Sequence, residues 1–239
     1  MDKVSVDLDA PSPYIESGSR LHRLKRRLTY ALPLRFIRQH FSHKAPLAVL
    51  EVGTGSGFFL LSAHDAFPNA TLTGFEYDER LLETTRKRAP FAECLQGNAE
   101  KLDLGQRKFD VIVSFQVIEH LYDPSAMLSR MHRHLKPNGL LIITTPNLDG
   151  LGARVMGKRW HGYREDHVSL KGVREWSHLI QSHGFSKKYV GSTFFSGVPL
   201  LNILPLGLLN WTLLVLLGSA RWQLGESFVG VFTSSSEIN

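Results

Sequence analysis

The 239 residues carry 28 Lys and Arg against 22 Asp and Glu, a formal net charge of +6, with 43% hydrophobic and 21% charged residues. That balance belongs to a globular chain and excludes a low-complexity or disordered polymer. A single cysteine, Cys94, excludes an intrachain disulfide and a Cys-rich zinc site. The opening residues, MDKVSVDLDAPSPY, have neither a basic nor an apolar leader region. No secretory leader is expected, and cytoplasmic residence is the default.

Residues 1–44 read as a polar arm followed by a basic helix, and residues 45–239 as one α/β domain. Between Ser17 and Leu50 there are eight Lys or Arg and no acid. Leu21, Leu24, Leu28, Leu32 and Phe36 recur there at helical spacing, with a bend expected near Pro33. From Leu47 onward strands and helices alternate. Strands are predicted at Ala48–Val52, Thr71–Phe75, Glu93–Gln96, Val111–Phe115 and Leu140–Thr144. Helices are predicted at Gly57–Ala66, Asp78–Arg88, Pro124–His134 and Val173–His183, the last stopped by Gly184. Phe185–Phe195 and Ser227–Thr233 complete the strands. Short apolar runs separated by helices predict a mostly parallel sheet covered on both faces. Val198–Gly218 has no charged residue and is leucine-rich. Pro199, Pro205 and Gly207 interrupt it and a strand follows, so residues 198–222 are expected to be a hydrophobic insertion rather than a membrane span.

The first chemical signal is Val49-Leu50-Glu51-Val52-Gly53-Thr54-Gly55-Ser56-Gly57, a strand that ends in an acid and enters a glycine-rich turn. Glycine lets the backbone approach a ligand that a Cβ would obstruct. The spacing fits neither a dinucleotide fingerprint nor a phosphate loop. Glu51 favours a cationic ligand over a phosphate. The second signal is Glu76, followed by Tyr77, at the end of the next strand. There a carboxylate can accept hydrogen bonds from both ribose hydroxyls, while Asp78 is the better helix cap. The third is Gly97-Asn98-Ala99-Glu100, in which Asn98 offers an acceptor and two donors to an adenine edge.

In that order, from about Leu47 to Asn147, these residues resemble the class I S-adenosylmethionine-dependent methyltransferases. The motifs are closest to the ubiquinone-pathway O-methyltransferase group. The resemblance implies a Rossmann-like three-layer αβα sandwich with a seven-stranded, mostly parallel sheet and the hydrophobic insertion before the last strand. It implies S-adenosyl-L-methionine as cofactor, bound by Glu51, Gly53, Thr54, Gly55, Gly57, Glu76, Tyr77, Asn98, Ala99, Ser114 and Gln116. Asn98 stands where the family usually has Asp, which preserves an acceptor.

At the end of the fourth strand, Gln116-Val117-Ile118-Glu119-His120 resembles the Glu-x-x-Glu-His motif with which quinone-pathway and small-RNA methyltransferases hold a divalent metal. Gln116 replaces the first Glu, and Asp166-His167-Val168 resembles the downstream His segment. Glu119, His120 and His167 are therefore the catalytic candidates. The chemistry is expected to run without a metal; if one were held, these three would hold it. His161 is a weaker candidate, and His22, His64 and His132 are expected at the surface. The expected acceptor is a small, lipid-like molecule methylated on oxygen, with peripheral contact to anionic membranes. The rivals are an RNA methyltransferase, with the basic helix on phosphates, and a cofactor-binding scaffold without catalysis. Oligomeric state is not legible.

Overall fold

Helix α1 (Arg20–His40) runs through Pro33 without a break. The computed structural model describes residues 20–193 and 218–234, with 205–207, 209 and 212 between them; of residues 20–29 the backbone alone is described. The expected burial of Leu21, Leu24 and Leu28 therefore lies outside the described side chains. Further along, the deeply buried positions are Leu34 and Ile37, with Phe36 packed beside them. The stripe facing the protein is thus rotated from the one that Leu32 and Phe36 alone define.

The chain continues through β1 (Ala48–Val52), α2 (Phe58–Ala66), β2 (Thr71–Glu76), α3 (Glu79–Arg88), β3 (Glu93–Gln96), β4 (Phe109–Phe115), α4 (Pro124–His134) and β5 (Leu135–Pro146). It ends in α5 (Leu151–Met156), α6 (Val173–Gln181), β6 (Phe185–Thr193), β7 (Ser219–Ala220) and β8 (Ser227–Ser234). The sheet order is β3-β2-β1-β4-β5-β8-β6-β7. β3, β2, β1, β4 and β5 pair in parallel, whereas β8 runs antiparallel between β5 and β6.

All seven expected strands form, and a two-residue eighth, β7, joins the edge by pairing Ser219 and Ala220 with Thr193 and Ser192. No periodicity can announce so short an element. β5 begins at Leu135 rather than Leu140, passing through Asn138 in the left-handed region (φ 60°). α6 stops at Gln181, short of His183, and Gly184 then turns the chain at φ 84°.

Alternate residues of the strands enter two cores, one on each face. On one face Leu50, Ile112, Leu141 and Phe232 meet Met127 and Met131 of α4 and Trp176 and Ile180 of α6. On the other, Val49, Val111, Ile142 and Val231 meet Leu34 and Ile37 of α1 and Phe59 and Leu60 of α2. Each such side chain, removed from water, contributes roughly 1.5–3 kcal/mol. Two apolar layers on one sheet fix the ends of β1, β2 and β4 in space, and the site is built there.

Most of Val198–Gly218 lies outside the described residues, as does the expected insertion it forms. Leu206 and Leu209, which are described, are exposed at 48% and 55%. Among the described residues no helix is long and apolar enough to cross a membrane.

Candidate active site

β1 and β4 are neighbours, yet their following helices cover opposite faces, which opens a cleft at their carboxyl ends. The glycine turn leaves β1 there. Gly53 and Gly55 have φ of 77° and 53°, a region costly for residues with a Cβ. A Cβ on Gly53 would strike Val117, whereas one on Gly55 would meet nothing within 4 Å. Gly53 therefore serves packing, and Gly55 borders open space. Thr85 of α3 fastens the turn by donating its hydroxyl to Gly55 O (2.8 Å).

Two carboxylates stand beside this turn. Glu51 is 2% exposed and accepts the Thr54 hydroxyl at 2.6 Å. Glu76 Oε2 accepts the Gly55 amide (2.7 Å), and its Oε1 accepts those of Tyr77 (2.8 Å) and Asp78 (3.1 Å). Glu76 thereby ties the first turn to the second. Asp78 caps α3 through the Arg80 amide, as its sequence position suggested. Asn98 caps a 3-10 turn, its Oδ1 accepting the Glu100 amide at 2.7 Å. The amide nitrogen of Asn98 has no partner among the described residues. Tyr77 is 69% exposed beside Glu76, and Ala99 is buried. Gln116 ends β4 at φ 55°, exposed to the cleft, and its amide donates to Thr144 O (2.8 Å). Ser114 lies inside the sheet, its hydroxyl buried without a partner.

Beyond Gln116, a 3-10 turn (Ile118–His120) brings Glu119 inward and leaves His120 half-buried. Glu119 Oε2 accepts the Thr145 hydroxyl at 2.9 Å, while its Oε1 is buried with no partner. Burial pushes the carboxyl up to about 7. His120 Nδ1 lies 2.9 Å from Asp166 O and His167 Nδ1 lies 2.8 Å from Gly162 O. A carbonyl can only accept, so both Nδ1 atoms donate and both Nε2 atoms keep lone pairs when the rings are neutral. The rings meet edge to face at 4.7 Å. Burial, opposed in part by the Gly162 hydrogen bond, holds His167 below the ordinary histidine range. One ligand atom from each of Glu119, His120 and His167 falls within 4.8 Å of the others, so the trio could hold a cation. The Ser169 amide donates to Glu119 O (2.9 Å), which docks the His167 segment on the turn.

A model of the methyltransferase domain matches residues 20–189. The chain belongs to the methyltransferase-domain family. It is 36% identical over 112 residues to a Mycolicibacterium smegmatis protein named a probable S-adenosylmethionine-dependent methyltransferase; the match covers 46% of this chain and 43% of that one. It is 30% identical over 126 residues to the ubiquinone biosynthesis O-methyltransferase of Rickettsia conorii, covering 51% of this chain and 43% of the relative. The chain thus spans less than half the length of these curated relatives. Among solved structures, an S-adenosylmethionine-dependent methyltransferase of Thermotoga maritima superposes with a TM-score of 0.62 at 23% identity, covering 89% and 92% of the two chains. That likeness bears on the fold.

The cofactor of this methyltransferase domain is S-adenosyl-L-methionine, and the residues expected to bind it fall into two groups. Gly53, Gly55, Glu76, Tyr77, Asn98 and Gln116 lie at the carboxyl ends of β1 to β4. The other five, Glu51, Thr54, Gly57, Ala99 and Ser114, are buried. His132, expected at the surface, instead packs edge to face on Phe185 (5.0 Å) with a buried Nε2, because Gly184 brings β6 against α4. His64 stacks on Phe91, and the His22 side chain lies outside the described residues. Sequence reasoning missed Thr145, Gly162 and Glu226, whose roles depend on distant partners. The run Trp160-His161-Gly162-Tyr163 was the only nearby signal, and His161 itself is 63% exposed.

Proposed function

We propose that the chain is an active enzyme that moves the methyl group of S-adenosylmethionine onto an oxygen of a small, lipid-like acceptor. In this reading the His120–His167 pair is the proton acceptor. The observation that carries it is the pair of Nδ1–carbonyl hydrogen bonds, which leaves both Nε2 atoms able to accept a proton on rings 4.7 Å apart. The acceptor oxygen attacks the methyl carbon as the carbon–sulfur bond breaks, its electron pair going to sulfur. The hydroxyl proton passes to Nε2, the role of a general base. Holding the reactants in line and excluding water supply much of the remaining rate. Glu76 and Asn98 are assigned to the ribose and the adenine, and Gly55 gives the cofactor room. Support for a lipid-like acceptor is the uncharged Val198–Gly218 stretch and the quinone-pathway name of the Rickettsia relative.

A second reading, a divalent cation on Glu119, His120 and His167, is favoured by one specific observation. Glu119 Oε1 is buried without a partner, and a cation would satisfy it. Carbonyl-anchored imidazoles also suit metal ligands. Such an ion would lower the pKa of a bound hydroxyl.

The test incubates the protein with methyl-labelled cofactor and either a lipid extract or total RNA. Label in the organic phase, insensitive to chelator and lost in His120→Ala, is expected. Label in RNA would overturn the acceptor class. Loss with chelator, restored by one divalent ion, would replace the base by the cation.

A further inference from the structure

The sheet ends at an edge that is only partly covered. β7 pairs with Ser192 and Thr193 of β6 and leaves Phe185–Gly191 open on that side. Beside this edge, α6 and the segment after β7 enclose a groove of about 380 Å³. Arg174 and His178 line it from α6, Lys187 and Lys188 from β6, and Arg221 from the far side. All five are exposed, and none of the lining residues is acidic. Arg174, Lys187 and Arg221 have no carboxylate partner among the described residues; the Arg221 guanidinium lies 6.0 Å from the Tyr189 ring. Lys188 Nζ lies 2.6 Å from the imidazole of His40, at the end of α1.

The same edge is where the uncharged stretch leaves and rejoins the sheet. It follows Thr193 and precedes Ser219, two residues paired in register. Between them the sequence from Val198 to Gly218 holds no charge, and Leu206 and Leu209 are exposed. Cations without a carboxylate partner and the two ends of the uncharged stretch therefore share one edge of the sheet. Water solvates the cations but not exposed leucines, and another protein's neutral surface would leave the cations unpaired. An anionic bilayer matches both halves, with phosphates for the cations and acyl chains for the leucines.

We infer that the β6–β7 edge docks on an anionic membrane surface, with lipid phosphates in the groove between α6 and β6. This goes beyond the reading of the reaction and does not rest on it, since docking needs no acceptor. It assigns the contact to cations of α6, β6 and the segment after β7 rather than to the Arg and Lys run of α1, the helix that packs on this edge through Phe36 and Tyr189. Each cation removed from near an anionic leaflet weakens binding about fivefold, so three removed together weaken it about a hundredfold.

Flotation of the full chain is measured with vesicles of phosphatidylcholine alone and mixed with phosphatidylglycerol. The chain is expected to float with the mixed vesicles at low salt and less so at molar salt. The triple variant Arg174→Gln, Lys187→Gln, Arg221→Gln is expected to lose binding about a hundredfold while its affinity for S-adenosylhomocysteine stays unchanged, which certifies its fold. Arg26→Gln with Arg27→Gln, on α1, is expected to float as the parent does. No flotation of the parent, unchanged flotation of the triple variant, or loss confined to the α1 variant would each overturn the inference. So would competition of vesicle binding by RNA at equal phosphate.

Discussion

The indole nitrogen of Trp160 donates a 2.5 Å hydrogen bond to Glu226, a carboxylate only 3% exposed at the entrance to β8. Its other oxygen accepts the Gly152 amide at 3.1 Å, so one buried acid clamps the segment between β5 and α6 to the sheet. The Trp160 ring in turn leaves room beside it only for Gly162, whose carbonyl orients His167. Glu226→Ala should strand both donors at about 1–3 kcal/mol each and lower the melting temperature. Trp160→Phe should cost less than the sum when added to it, as expected for partners in one network. Additive losses in a thermal-denaturation cycle would mean that the clamp does not act as a unit.

Gly53 and Gly55 should respond differently to a side chain although both have positive φ. Gly55→Val projects into the open cleft, so it should abolish cofactor binding for about 1–2 kcal/mol of backbone strain. Gly53→Val drives Val117 aside and should unfold the chain well before that. Calorimetry with S-adenosylhomocysteine, paired with denaturant melts, separates the two. A Gly55→Val protein that still binds would remove the cofactor from this turn.

Glu76→Ala should weaken cofactor affinity by about 1.5–3 kcal/mol, the scale of hydrogen bonds to a charged acceptor. Because Glu76 also accepts the amides of Gly55, Tyr77 and Asp78, the variant should lose stability too. Unchanged affinity by calorimetry would end the ribose assignment.

Stability should fall as pH rises through the range in which Glu119 ionises. Its folded carboxyl titrates near 7 against an ordinary value of 4.5. Between those limits the folded chain keeps a proton that the unfolded chain has released, so folding weakens by up to roughly 1.4 kcal/mol per pH unit. Glu119→Gln keeps an acceptor for Thr145 and removes the ionisation. Its melting temperature should therefore exceed the parent's at pH 8 and converge with it near pH 4. Parallel melting curves across that range would refute the assignment.

Legibility in the sequence followed local punctuation. β1, β3 and α4 lie where expected because Gly53, Gly97 and Pro124 mark their ends sharply. The pairing of His120 with His167 was anticipated from motif resemblance, but the hydrogen bonds that set their tautomers join residues five and 46 positions apart. Glu226 carried no signal in the sequence, since Gly225-Glu226-Ser227 gives no hint of an indole 66 residues upstream. Glu51 and Ser114 were expected to bind the cofactor and are buried, because a resemblance to a family's cofactor residues does not separate wall from lining.

The position of β8 has a consequence for how the molecule assembles during synthesis. The last strand in chain order, eight residues long, is not at the margin of the sheet but wedged between β5 and β6. Until it arrives, a nascent chain holding β1 to β5 ends in an unpaired margin at β5, and β6 has only the two-residue β7 to join. Such half-finished sheets invite pairing with other chains. Glu119 and His120, on the turn after β4, wait for the Trp160 segment, which Glu226 fastens as β8 enters. Entry of β8 therefore closes the sheet and fastens the segment before His167 together.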